Sequence, residues 1–216
     1  MLTRIEALSS PAAIVNDVAS DIASEIASDW VMDAQSWCAQ AQAVISPNFG
    51  PRPLGMAVDL LVIHNISLPL AEFGGDYILD LFQNRLDYDA HPSFASLRGV
   101  QVSSHFLIRR DGQILQFVAG SSRAWHAGVS HFQGRDGCND FSIGIELEGC
   151  DTCAFTDAQY LSLTHLSNCL MRYFPLQHIV GHHEIAPGRK TDPGPYFDWL
   201  RYQRNLPGWI LSELAP

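Results

Sequence analysis

The stretch "GHHEIAPGRKTDPGP", residues 181–195, gathers His182, His183, Glu184, Lys190 and Asp192 in a segment too rich in Gly and Pro for a helix interior. Imidazole and carboxylate are common ligands of a zinc site that keeps one position for water, and such a site takes three protein ligands. A strand ending near His182 and a loop that brings Asp192 back toward it supply two. The third has to arrive from another element. His64 in "VDLLVIHNI", at the end of a second strand, is the natural candidate, although a strand-end histidine with no other signal is more often structural. Two carboxylates, Glu146 and Glu148 in "FSIGIELEG", alternate onto one face of a strand, and by spacing either is eligible to carry a proton in a cleft.

The elements that must position these groups follow from periodicity. Residues 58–66 are a near-continuous apolar run of strand length. Residues 73–87 read as a helix, and residues 103–118 as two strands around Asp111-Gly112, a strong hairpin signal. In 141–149, Ile143, Ile145 and Leu147 share the face opposite Gly144, Glu146 and Glu148. Thr156 and Gln159 form a capping box for a helix through Arg172, and 178–185 is a further strand, on which His183 points away from His182. Strands interleaved with helices predict an α/β fold: a mixed central sheet flanked by helices, in one domain.

The 216 residues bury one substantial core with an appendage, and 23 acidic against 13 basic residues argue against a nucleic-acid partner. Ser10 and Pro11 open an amphipathic helix in which Ile14, Val18, Ile22, Ile26 and Trp30 recur every four residues beside an acidic stripe of Asp17, Asp21, Glu25 and Asp29. Neither a secretory apolar segment nor a membrane span tolerates that stripe. The expected division is an N-terminal helical extension over 1–35 and a catalytic domain over 36–216. The helix docks on its own domain or, as the alternative, contacts a partner. Cys38, Cys138, Cys150, Cys153 and Cys169 are an odd set in a chain that needs no staples, which fits free thiols in a cytosol, the Cys150/Cys153 spacing included.

Six ordered segments carry a more specific signal: "VIHNISLP", "AHPSFASL", "SSHFLIRRDG", "RAWHAGVS", "CNDFSIGIELEG" and "GHHEIAPGRKTDPGP". Together they resemble the zinc-dependent N-acetylmuramoyl-L-alanine amidases of the type 2 family, and within it the cytosolic branch that acts on 1,6-anhydromuropeptides in peptidoglycan recycling. The resemblance implies Zn2+ held by His64, His182 and Asp192, Glu146 as acid/base and Lys190 as the positive charge for the oxyanion. It also implies a muropeptide substrate touched by Asn65, Trp125, His126, Arg98 and Arg135. His126 either touches substrate or fixes its loop; Trp125 either stacks on sugar or fills core. Ser104 stands where some relatives carry a catalytic tyrosine, which favours Glu146 as the acid/base. Gln101 and Gly137 replace basic residues of close relatives, so the grip on the peptide carboxylates differs. Other readings are an amidase of intact murein and a non-catalytic peptidoglycan-recognition module. The retention of His64, His182, Asp192, Glu146 and Lys190 together argues against the latter, which would typically have lost a metal ligand.

Overall fold

The computed structural model describes residues 1–4 and 30–211. Its strands are β1 (Leu2–Arg4), β2 (Gln42–Ala43), β3 (Phe49–Gly50), β4 (Leu60–Ile66), β5 (Phe106–Ile108), β6 (Ile114–Gln116), β7 (Arg123–Ala124), β8 (His131–Phe132), β9 (Arg135–Asp136), β10 (Ser142–Glu148), β11 (His178–Gly181) and β12 (Trp209–Leu211). Its helices are α1 (Tyr77–Phe82), α2 (Asp157–Tyr173), the single turn α3 (His182–Ile185) and α4 (Trp199–Arg204). Eight strands form the central sheet in the order β12-β1-β11-β4-β10-β5-β6-β2; β3 with β7 and β8 with β9 form small ribbons. The centre is parallel, β11, β4, β10 and β5 running together, while β6, β1 and β12 join antiparallel. This is the mixed sheet that the strand and helix pattern predicts.

Both faces of the central strands are covered. Leu61, Ile63, Ile143, Ile145 and Leu147 meet Leu163, Leu166 and Leu170 of α2 on one face. On the other, Leu60, Val62 and Val180 meet Ala127, Phe132, Phe141 and Ile185. Full burial of such a side chain stabilises by about 1.5–3 kcal/mol. An apolar layer on each face is therefore large enough to hold polar side chains rigidly at the strand ends. The reading of 142–148 as an alternating strand is correct in register, but the even-numbered face is also buried, because the 123–141 segment lies across it. The Thr156–Gln159 capping box of α2 is present, Thr156 Oγ1 accepting from Gln159 N at 3.1 Å and Gln159 Oε1 from Thr156 N at 3.0 Å.

Three expectations change. The helix expected over 73–87 shrinks to Tyr77–Phe82: Gly74 and Gly75 take positive φ before it and Asn84 after it, outside the right-handed helical region. The strand expected to run to 185 stops at Gly181, whose N–H donates to Glu184 Oε2 at 2.7 Å, opening a helical turn. Leu2–Arg4, within the stretch expected to be a helical extension, is a strand in the central sheet between β11 and β12. The amphipathic helix itself lies outside the described residues except for Trp30. That residue stacks on His165 of α2 at 5.5 Å between ring centroids and accepts from Arg172 Nη2 at 2.5 Å through its carbonyl.

Candidate active site

Parallel strands deliver their carboxyl ends to one edge of a sheet, where loops converge and ligands bind. β4 brings His64 there, β10 brings Glu146 into direct register with it, and β11 hands the chain to α3, whose first residue is His182. The 186–195 loop returns Asp192, its carbonyl accepting from His183 N at 3.0 Å and lying 3.2 Å from His183 Nδ1. His183 therefore faces the returning loop, contrary to the strand alternation expected, because a helical turn has replaced the strand.

Three atoms meet at this edge. His64 Nδ1, His182 Nδ1 and Asp192 Oδ2 form a triangle with every side 3.0 Å. Ligands 2.0–2.2 Å from a tetrahedral zinc stand about 3.4 Å from one another, so the triangle is close to the size a zinc would hold. The two histidines are buried and the Asp192 side chain is 13% exposed, leaving one side accessible. These three residues form a group that could hold a metal ion. Burial, opposed by the nearby Asp192 and reinforced by His182, lowers the His64 pKa to about 4, so the ring is neutral at pH 7. For Asp192 burial acts upward, but its close contacts with His182 and His64 outweigh it and hold the carboxylate far below its ordinary range. A bare imidazole and a permanently ionised carboxylate are the protonation states a cation needs.

Glu146 Oε2 is buried with no hydrogen-bond partner, which is costly for a carboxylate. Burial, then the Asp192 charge, push its pKa well up, against the pull of Lys190. Glu148, two residues on, is satisfied: Oε1 accepts from Gly74 N at 2.6 Å and Oε2 from Arg110 N at 3.1 Å. The two carboxylates that spacing left equivalent are thus told apart by their partners. Lys190 is exposed on the 186–195 loop and its charge acts on both His64 and Glu146.

The remaining expected site residues divide. Asn65 is committed to bracing, its Nδ2 donating to Asp151 Oδ1 at 2.7 Å and Pro193 O at 3.0 Å. Asp151 carried no signal in the sequence beyond its place between two cysteines. His126 lies behind His64, not at the open face, with Nδ1 2.9 Å from His64 Nε2. Trp125 beside it is half-buried. Arg135 is not brought to the site: it forks onto Asp59 at 2.9 and 3.1 Å and stacks over Phe141, and Asp59 precedes β4 at the end opposite His64. Carboxylate pairing and ring stacking satisfy that guanidinium locally. Arg98 is exposed, bonded to Asp89 and over the Tyr88 ring. Ser104 is buried and donates to Gly144 O at 2.8 Å. Gly137 has φ +69°, a backbone conformation that suits glycine and disfavours the basic side chain expected by resemblance.

A sheet edge with this constellation belongs to a known class. The sequence profile of the N-acetylmuramoyl-L-alanine amidases matches residues 54–195, and the chain belongs to that family. More narrowly, it is 54% identical over 171 residues to the 1,6-anhydro-N-acetylmuramyl-L-alanine amidase AmpD of Citrobacter freundii, spanning 78% of this chain and 91% of that protein. The AmpD of Haemophilus influenzae is 55% identical over 168 residues, 76% of this chain and 90% of that one. A crystal structure of a selenomethionine AmpD derivative superposes with a TM-score of 0.80 at 53% identity, covering 82% of this chain and 99% of that one. The Escherichia coli amidase AmiD in complex with anhydro-N-acetylmuramic acid-L-Ala-D-γ-Glu-L-Lys gives a TM-score of 0.52 at 27% identity, over 81% of this chain and 65% of that one.

Proposed function

We propose that this chain hydrolyses the amide between the lactyl group of (1,6-anhydro-)N-acetylmuramic acid and L-alanine in muropeptides, with zinc held by His64, His182 and Asp192. The single observation that carries the reading is the 3.0 Å triangle of two imidazole nitrogens and a carboxylate oxygen beside an unpartnered, buried Glu146. Bound there, zinc would lower the pKa of a water molecule toward neutrality and polarise an amide carbonyl. Glu146 takes a proton from the attacking water and returns it to the departing L-alanine nitrogen. Lys190 sets a compact positive charge by the carbonyl oxygen as negative charge develops on it. Trp125, half-buried and adjacent to His126 in the chain, is the aromatic residue we assign to the sugar face.

The anhydro preference is supported by the names and identities of the AmpD relatives. A cytosolic setting is supported by the five cysteines, none of which forms a disulfide among the described residues. Among the described residues no helix is long and apolar enough to cross a membrane. The test is metal analysis of the wild-type and Asp192→Ala chains, with mass spectrometry of digests of anhydro-muropeptides, reducing muropeptides and intact murein. One zinc per wild-type chain, its loss in Asp192→Ala, and release of peptide with a free L-alanine amine from the anhydro substrate are expected. Stoichiometric zinc in Asp192→Ala would remove that residue from the ligand set.

A further inference from the structure

We infer that His126 is a positioning residue of the metal centre, fixing the His64 ring, with Ser142 behind it, in the tautomer whose bare nitrogen faces Asp192 and His182. The inference rests on the metal-dependent reading above and goes beyond its ligand set. Its logic is a count of hydrogens. Ser142 Oγ lies 2.6 Å from Cys138 O, a main-chain carbonyl that can only accept, so the one hydroxyl hydrogen is spent there. Ser142 Oγ can then only accept from His126 Nε2, at 3.1 Å. A neutral imidazole has a single N–H, so His126 Nδ1 is bare and accepts from His64 Nε2 at 2.9 Å. The hydrogen of His64 is thereby held on Nε2, and its Nδ1 lone pair points into the triangle.

His182 is set the same way by a shorter route, its Nε2 lying 3.1 Å from Ala127 O. Three lone-pair-bearing atoms then face one another at 3.0 Å with no hydrogen left for any of the contacts. A cation bound among them relieves that arrangement. A histidine ligand commonly gives its second N–H to a carboxylate, carbonyl or water; here a second histidine takes it, and a carbonyl at the far end fixes the direction of the chain.

The surroundings of His126 suit holding better than binding. Its ring lies against β10 at Gly144, where a Cβ would come within 2.5 Å of the ring. Asn139 Oδ1 accepts from the main-chain N of both His126, at 3.1 Å, and Ala127, at 2.8 Å. The residue is 9% exposed and both ring nitrogens are used, so no polar atom remains for a substrate. The "WHAG" and "CNDFSIG" segments are thus one device: Cys138, Asn139, Ser142 and Gly144 build the seat that His126 occupies.

The experiment measures zinc affinity in the full chain by competition with a chromogenic chelator, for wild type, His126→Phe, His126→Asn and Ser142→Ala. Thermal unfolding of each zinc-stripped protein checks that it is folded. Removing an outer partner of a ligand typically costs 10–100-fold in metal affinity, and His126→Phe, which keeps a ring and loses the acceptor, is expected in that range. His126→Asn, which returns an oxygen acceptor near the Nδ1 position, recovers most of it. Ser142→Ala weakens zinc in the same direction but less, because the freed ring can swap tautomers. Two-bond ¹H–¹⁵N spectra of the zinc-loaded protein are expected to place the hydrogens of His64 and His126 on Nε2. If His126→Phe does not fold, Ser142→Ala and these spectra decide. Wild-type zinc affinity in folded His126→Phe with a raised KM would make His126 a substrate contact and overturn the inference, as would hydrogens on Nδ1. A wild-type chain that binds no zinc would instead overturn the metal-dependent reading itself.

Discussion

Glu146 and Glu148 stand two residues apart on one face of one strand, and nothing in their spacing separates them. The separation comes from Gly74 N and Arg110 N, which claim both oxygens of Glu148 and leave Glu146 Oε2 with none. Those donors lie 74 and 38 residues away in the chain, so only the resemblance could choose between the carboxylates beforehand. Glu146→Gln is expected to keep zinc and fold while turnover falls by about 10² to 10⁴, the usual scale for a lost proton carrier. Glu148→Gln should reverse the pattern: an amide leaves one main-chain donor poorly paired, lowering stability by about 1–3 kcal/mol, with turnover of the folded protein retained. Steady-state kinetics and denaturant melts of the two variants check this. Loss of turnover in Glu148→Gln alone would exchange their roles. Arg135 shows the opposite limit of sequence reading, since its partner Asp59 is an ordinary charge 76 positions away.

At the level of elements, the strands that carry His64 and Glu146 were legible because an apolar run of strand length with β-branched residues and a strict alternation both point to strands. The junction after β11 was not. "HIVGHHEI" reads as a strand until Glu184 reaches back to the Gly181 N–H, and that contact aims His182 at the triangle and His183 at the Asp192 main chain. Gly181 is pinned by what surrounds it, its φ of −82° being open to any residue. A Cβ there would come within 2.6 Å of the His183 ring and 2.8 Å of Pro193 Cδ, and both neighbours hold the loop that carries Asp192. Gly181→Ala should therefore displace Asp192 and weaken zinc by at least about tenfold, as loss of outer support of a ligand does. Chelator competition reads it. Unchanged affinity would mean that Pro193 and His183 shift without moving the carboxylate.

On the scale of the whole molecule, the chain before residue 35 is tied to the domain at both described ends. Leu2 is fully buried between β11 and β12, and Trp30 is stacked on α2. A three-residue strand pairing with residues 178–179 and 209–211 leaves no periodic trace, so the sequence showed only the amphipathic pattern between. A chain beginning at Asp33 should melt at lower temperature and release the same products; an unchanged melt together with a shift from dimer to monomer would favour a partner contact for that segment. Acid sensitivity is also set by the interior. His105 is fully buried, accepts from Gly144 N at 3.0 Å and faces the Arg52 guanidinium, and burial followed by that charge lowers its pKa to about 3. The unfolded chain takes up a proton on this ring near pH 6.5, whereas the folded protein refuses it until about pH 3. Between those values the unfolded state holds more protons, so stability falls as pH falls, by up to about 1.4 kcal/mol per pH unit for one such group. His64 and His126, also neutral when buried, add in the same direction. His105→Asn is expected to be less stable than wild type at pH 7 but to lose less on acidification to pH 4, so that the two unfolding curves converge. Denaturant titrations of the zinc-stripped proteins at pH 7, 6, 5 and 4 test this; parallel pH slopes would show that His105 titrates alike in the folded and unfolded states.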